Sequence, residues 1–288
     1  MEATSSQTDS RRGFTLIELL AVIVIIGILA SLITAAAVSA RRRVRQAAIR
    51  LELDNIGNAL EAYKAKMGEY PPDFTDTSGD TVRRHLRRAF PRYDPSTGPF
   101  ASTLNTGTYN PGSALVFWLG GIVGPNKKLT GFSANPTNPF QDSSVTKSRI
   151  GPFYDFDATR LHSVSGAMRY YPDVNQRIDD GEASPIVYFR AVNGSYDRPG
   201  GQEIFTAPDG GQVGPMKLRL KPDTPWDQCT WVNEHKYQII TAGLDGKFGV
   251  AAETGGAGRF FRSDAGYDDY NYDNITNFTD ATLEDGLK

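Results

Sequence analysis

One cysteine, Cys229, stands in 288 residues, so no intrachain disulfide can form. In an exported chain such a thiol either pairs between chains or is buried as a small hydrophobe, and burial is the commoner fate. The three histidines, His85, His162 and His235, lie far apart and match no metal-ligand spacing. There is no glycine-rich phosphate loop, no nucleophile elbow and no carboxylate pair in a catalytic context. The chain therefore reads as something other than an enzyme, with a membrane-anchored hydrolase ranking last. The net charge of −2 leaves no global field to recruit nucleic acid or acidic lipid. What remains is a chain of two unlike parts. The start is strongly apolar, and the region after residue 68 is rich in Gly, Pro, Tyr, Asn and Asp, as a loop-rich β domain would be.

Residues 1–13 are polar and end in Arg11-Arg12-Gly13. Residues 19–40 then carry no charge, and Arg41, Arg42 and Arg43 follow. A helix of that apolar length measures about 33 Å and can cross a bilayer. Ala35, Ala36, Ala37 and Ala40 allow a secretory signal cut after the apolar run, but that run exceeds a usual signal core. A carboxylate, Glu18, also sits at its beginning. Charge at mid-bilayer depth costs about 2.5–3.5 kcal/mol, and less near the interface. Neither a signal peptide nor a plain anchor has a use for it.

The run Arg11-Arg12-Gly13-Phe14-Thr15-Leu16-Ile17-Glu18-Leu19-Leu20 resembles the class III signal of type IV pilins and type II secretion pseudopilins, whose G-F-T-L-x-E pattern is matched through Glu18. The resemblance implies a cut between Gly13 and Phe14 by a prepilin peptidase and N-methylation of Phe14. The mature chain would have 275 residues, 288 minus 13. Cutting there creates a cationic amine one helical turn before Glu18. Two charges in an apolar core are tolerated only when each finds a partner. The resemblance implies that Glu18 pairs with the amine of the neighbouring subunit. Arg11 and Arg12 oppose Arg41, Arg42 and Arg43 in a near draw under the positive-inside rule. The resemblance decides for a single-pass inner-membrane precursor with a periplasmic C-terminal domain. The family often has proline near Ala35; here it is absent, so no specific kink is carried over.

Apolar residues continue at Val44, Ala48, Leu51, Ile56, Leu60, Tyr63 and Met67, and the opposite face carries Glu52, Asp54, Asn58, Glu61, Lys64 and Lys66. Gly68 reads as a C-cap, and Pro71-Pro72 stop the helix. One helix over 14–67, roughly 80 Å long, is predicted. The expected divisions are a leader at 1–13, a transmembrane and filament-core segment at 14–40, an amphipathic continuation at 41–68, and a globular domain at 69–288.

The expected fold class is α+β, the pilin fold. A long helix, transmembrane in its first half and amphipathic in its second, packs on a small antiparallel sheet with loop-rich insertions. Residues 185–192 and 237–242 read as strands, and 217–220 as an edge strand. Residues 81–90 read as a short basic helix, taken as a solvated or filament-contact face rather than a nucleic-acid site. Residues 114–119 are a core segment, either helix or strand. Residues 173–181 approach an EF-hand loop, but Arg177 and Ile178 break the pattern and leave a polar turn.

Near the C-terminus, residues 242–249 resemble the S-x-G-x-D-G-K-x-G segment of the major pseudopilin, and 268–278 resemble its later Asp-rich stretch. The resemblance implies calcium in loop 242–278, with oxygens from Asp245, Asp269, Asp273, Asn274 and the Ala242 carbonyl. A divalent ion there would close a loop that a lone cysteine cannot staple. Together these features predict a type II secretion pseudopilus subunit that polymerises with itself and meets other pseudopilins and an inner-membrane assembly platform. A type IV pilin for adhesion, motility or DNA uptake is the alternative.

Overall fold

The computed structural model describes residues 14–96, 108–172, 183–196, 204–221, 224–249, 259–263 and 267–287. Gly13 and the polar turn at 173–181 lie outside them. The chain divides into two units, 1–44 and 45–288.

In the first unit the helix α1, Leu16–Met67, begins. Every residue from 14 to 44 is exposed, and the stretch is long and apolar enough to cross a membrane. Two of its hydroxyls bond back within the helix. Ser31 Oγ donates to the Ile28 carbonyl and Thr34 Oγ1 to that of Ala30, each at 2.7 Å. Bonded in this way, these two hydroxyls do not need water.

In the second unit α1 buries Ile49, Leu53, Ile56, Ala59, Leu60, Tyr63 and Met67. Steps of three and four keep these on one stripe. Val44, Ala48 and Leu51, expected on it, are exposed instead. The expected register contained a five-residue step from Leu51 to Ile56, which turns about 140° and leaves the face. Glu52 is corrected with them. It belongs to the covered side and is half-buried. The helix ends as predicted: Gly68 adopts φ 89° and its N–H donates to the Lys64 carbonyl at 2.8 Å.

Two shorter helices follow, α2 at Asp80–Ala89 and α3 at Pro111–Leu115, the latter continuing into a π-turn at Val116–Gly120. The segment 114–119 is thus helical and wholly buried. Twelve short strands are described. β1 (Phe132–Ser133) pairs with β2 (Arg149–Ile150), and β3 (Leu161–Val164) with β4 (Ala167–Tyr170). β6 (Phe205–Thr206) pairs with β7 (Gln212–Val213). The central sheet is antiparallel in the order β12-β10-β5, from Ile275–Thr276, Tyr237–Thr241 and Val187–Arg190. Both predicted strands lie in it. A second sheet has the order β11-β8-β9, from Arg259–Phe261, Met216–Leu218 and Thr230–Trp231. Here β8 lies between its neighbours, so the expected edge at 217–220 is corrected to a middle strand. Lys217 misleads because it is a buried lysine: its ammonium sits 4.7 Å and 4.8 Å from the Trp226 and Trp231 ring centres and donates to the Trp226 carbonyl at 3.1 Å.

Side chains alternate across the central sheet. Tyr188, Ile239 and Ile275 join the α1 stripe, α2 and the 114–119 segment in one core. Val187, Phe189 and Ile240 join Phe205, Met216, Phe248 and Phe261 in a second. The sheet is thus covered on both faces. Cys229 is buried and free, as expected.

Candidate functional site

Three groups of polar residues stand out. The first opens α1. Thr15 precedes the helix, and both its N–H and its Oγ1 donate to Glu18 Oε2 at 2.8 Å. The Glu18 N–H donates back to Thr15 Oγ1 at 3.3 Å. This is a reciprocal capping box, satisfying donors that helix geometry leaves open. Its signature, Thr-x-x-Glu ahead of an apolar run, is legible in the sequence. Glu18 is negative at the positive end of the helix dipole, a second reason for a carboxylate there. Phe14 is exposed beside it.

The second group joins the end of α1 to α2 and the central sheet. His85 is fully buried on α2, with Nε2 2.8 Å from the Tyr63 hydroxyl and Nδ1 2.8 Å from Glu69 Oε1. Arg190 Nη2 donates to Glu69 Oε2 at 2.8 Å, and the Arg190 N–H donates to Asp73 Oδ2 at 2.8 Å. Burial alone would raise the Glu69 carboxyl, but the His85 hydrogen bond and the Arg190 charge outweigh it and hold the group at about 2. Burial lowers the His85 value despite Glu69. A neutral imidazole fits this: a carboxylate can only accept, so Nδ1 carries the hydrogen and Nε2 accepts from Tyr63. Glu52 makes a parallel clamp from mid-helix. It accepts from Arg160 Nη2 at 2.5 Å and from the Tyr170 hydroxyl at 2.7 Å. Nothing in the sequence pattern marked either network, because the partners lie 16 to 121 positions apart.

The third group is the C-terminal loop. Ala242 is buried, and a turn runs from 243 to 246. Asp273 Oδ2 accepts from the Leu244 N–H at 2.9 Å and the Asp245 N–H at 3.1 Å, so the two ends of the loop meet across 28 positions. Gly243 has φ 62°, and a Cβ there would collide with the Asp273 backbone. Asp245 stands at an exposed turn, yet desolvation pushes its carboxyl up to about 7. Asp273 and Asp268 add to the rise, and the Lys247 amide and ammonium oppose it. Asn274 is 1% exposed, and neither of its amide atoms has a hydrogen-bond partner among the described residues. Asn271 is fully buried; its Nδ2 donates to Asp268 Oδ1 while its own Oδ1 has no such partner. Asp269 is exposed, and the carboxylate acting on Asp245 is Asp268 instead. Of the five expected oxygens, Asp245 and Asp273 come together, Ala242 and Asn274 are buried in adjoining positions, and Asp269 is exposed. Among the described residues, no three His, Cys, Asp or Glu side chains are already gathered around one point.

Residues 9–34 match the prokaryotic N-terminal methylation motif, which type IV pilins and pseudopilins carry, and the capped, apolar start of α1 lies within that match. Over 64 residues, 22% of this chain, the sequence is 39% identical to type II secretion system core protein G of Escherichia coli. The match spans about 44% of that relative's length. No solved structure matches the chain. The motif, the relative and the long helix with small sheets agree on a pilin-like or pseudopilin-like role.

Proposed function

We propose that the chain is a structural subunit of a type II secretion pseudopilus. It is cut between Gly13 and Phe14 by a prepilin peptidase, methylated at Phe14, and polymerised with other copies and other pseudopilins on an inner-membrane platform. The observation that carries this is the placement of Glu18. It is a carboxylate fixed on the first turn of a membrane-length helix, four positions from the residue whose amine the cut would free. Glu18 Oε2 is occupied by Thr15, and Oε1 takes no hydrogen bond from the described residues. It therefore has room for the neighbouring subunit's amine. The C-terminal domain would be periplasmic. Deleting the gene and measuring both secreted proteins and surface motility tests the reading. Loss of secretion with motility intact supports it; the reverse supports a type IV pilin.

Calcium belongs to the same reading. The donor set fits a hard cation in part: Asp245 lies beside the Asp273 and Asp268 carboxylates, and the buried Asn274 Oδ1 has no hydrogen-bond partner among the described residues. Asp245, Asp273, Asn274 and the Ala242 carbonyl would hold the ion, with Asp268 supplying the charge first assigned to Asp269. The ion would neutralise the carboxylates and tie the loop ends together.

A further inference from the structure

We propose that α2, with the apolar cleft at its C-terminal end, receives the Asp269–Tyr270 turn of a second copy of this chain. The inference rests on the filament reading above and adds a contact between globular domains. Val82, His85 and Leu86 bury one side of α2, which leaves Arg84, Arg87 and Arg88 exposed on the other. Arg92 continues the exposed cations past the helix end. Arg88 reaches Glu69 at 3.8 Å, whereas Arg84, Arg87 and Arg92 have no carboxylate within ion-pair distance among the described residues. Beside Arg92 opens a cleft of about 250 Å³ walled by Phe90, Pro91, Pro136 and Ile150. Cations next to an apolar hole call for an acidic residue followed by an apolar anchor.

The chain itself displays that pair. Asp269 is exposed, and Tyr270 is 44% exposed, unusually much for a large ring. The Tyr270 N–H donates to Asp268 Oδ1 at 3.1 Å, so a defined turn presents both side chains. The two surfaces lie on opposite sides of the central sheet. Val82 and Leu86 of α2 pack in the core on one face, whereas Tyr267 and Phe278, flanking the turn, pack on the other. A patch on one side that fits a patch on the other makes a head-to-tail contact. Such contacts propagate into open filaments or rings rather than closing a two-fold dimer.

The test is cross-linking of the full-length chain carrying Arg87→Cys and Asp269→Cys, with a short bismaleimide, on whole membranes and on sheared filaments in parallel. Buried Cys229 is common to all samples, and each single variant is a control. The expected result is a ladder of dimers, trimers and higher species from the double variant only. No ladder in either fraction, or dimers alone, overturns the contact. Filament yield from the unaltered chain scores the filament reading separately: a ladder without filaments would reject that reading and keep the contact. As a second arm, Arg87→Glu should reduce filament yield and Asp269→Arg combined with it should restore it. Failure of the swap to restore yield while both variants reach the membrane in normal amount counts against self-docking and for a different acidic partner.

Discussion

Thr15 gives Glu18 two hydrogen bonds to one carboxylate oxygen, both at 2.8 Å, at the first turn of the apolar helix. In lipid a carboxylate without donors is costly. The pairing thus holds Glu18 in place before any neighbouring subunit supplies a cation. Thr15→Ala should lower filament yield, and Thr15→Ser, which keeps the hydroxyl, should retain it. Counting filaments by electron microscopy at matched membrane levels checks this. Equal yield from Thr15→Ala would mean the cap is dispensable.

Glu69 contributes to the acid stability of the globular part, as does Asp76, which, against desolvation, hydrogen bonds from Ser78 and Thr81 hold at about 2. The Glu69 carboxyl is held at about 2, below the ordinary 4.5. A depressed acid stabilises the fold above its unfolded value and loses that contribution as pH falls through its folded value. The melting midpoint should therefore drop between pH 4.5 and 2. Glu69→Gln should make that drop shallower, leaving the share from Asp76, and cost about 3 kcal/mol at neutral pH, since Arg190 loses its counter-charge and one amide oxygen cannot accept from both Arg190 and His85. Thermal melts of the full chain in detergent at a series of pH values measure both.

Glu52 is the mid-helix counterpart. Glu52→Ala removes the acceptor of Arg160 Nη2 and of the Tyr170 hydroxyl together, for a loss of about 2–3 kcal/mol. Leu51→Ala, one position away but 61% exposed, should cost under about 0.5 kcal/mol. Denaturant unfolding of the two variants distinguishes the observed helix register from the one that places Leu51 in the core.

What the sequence made legible follows from the range of the physics. The helix over 14–67, its Gly68 stop and the strands at 187–190 and 237–241 all rest on local patterns of charge, periodicity and β-branching. The helix register failed at Leu51 because one five-residue step was accepted as continuous. Lys217 hid a middle strand because a buried lysine between two indoles looks like a surface residue in sequence. The Glu69–His85–Arg190 and Glu52–Arg160 networks were invisible because no local pattern joins residues so far apart. At the C-terminal loop, the resemblance drew attention to Asp245 and Asp273, which do meet, and to Asp269, which is exposed. Asp268 and Asn271 emerged only from the fold.

Calcium should raise the melting midpoint of the full chain, because an ion that binds the folded state stabilises it by mass action. Chelator should return the midpoint to its starting value. Asp245→Asn and Asn274→Ala should each weaken the response, and Asp269→Asn should leave it intact. Differential scanning fluorimetry across a calcium series reads this directly. An unchanged midpoint in the unaltered protein would remove calcium from the account.

The most direct measurement is intact mass with N-terminal sequencing of the protein extracted from membranes. Processing as a pilin-like subunit predicts a chain that begins at N-methylated Phe14, with residues 1–13 gone. A chain that retains residues 1–13, or one cut after the alanines at 35–40, would contradict it.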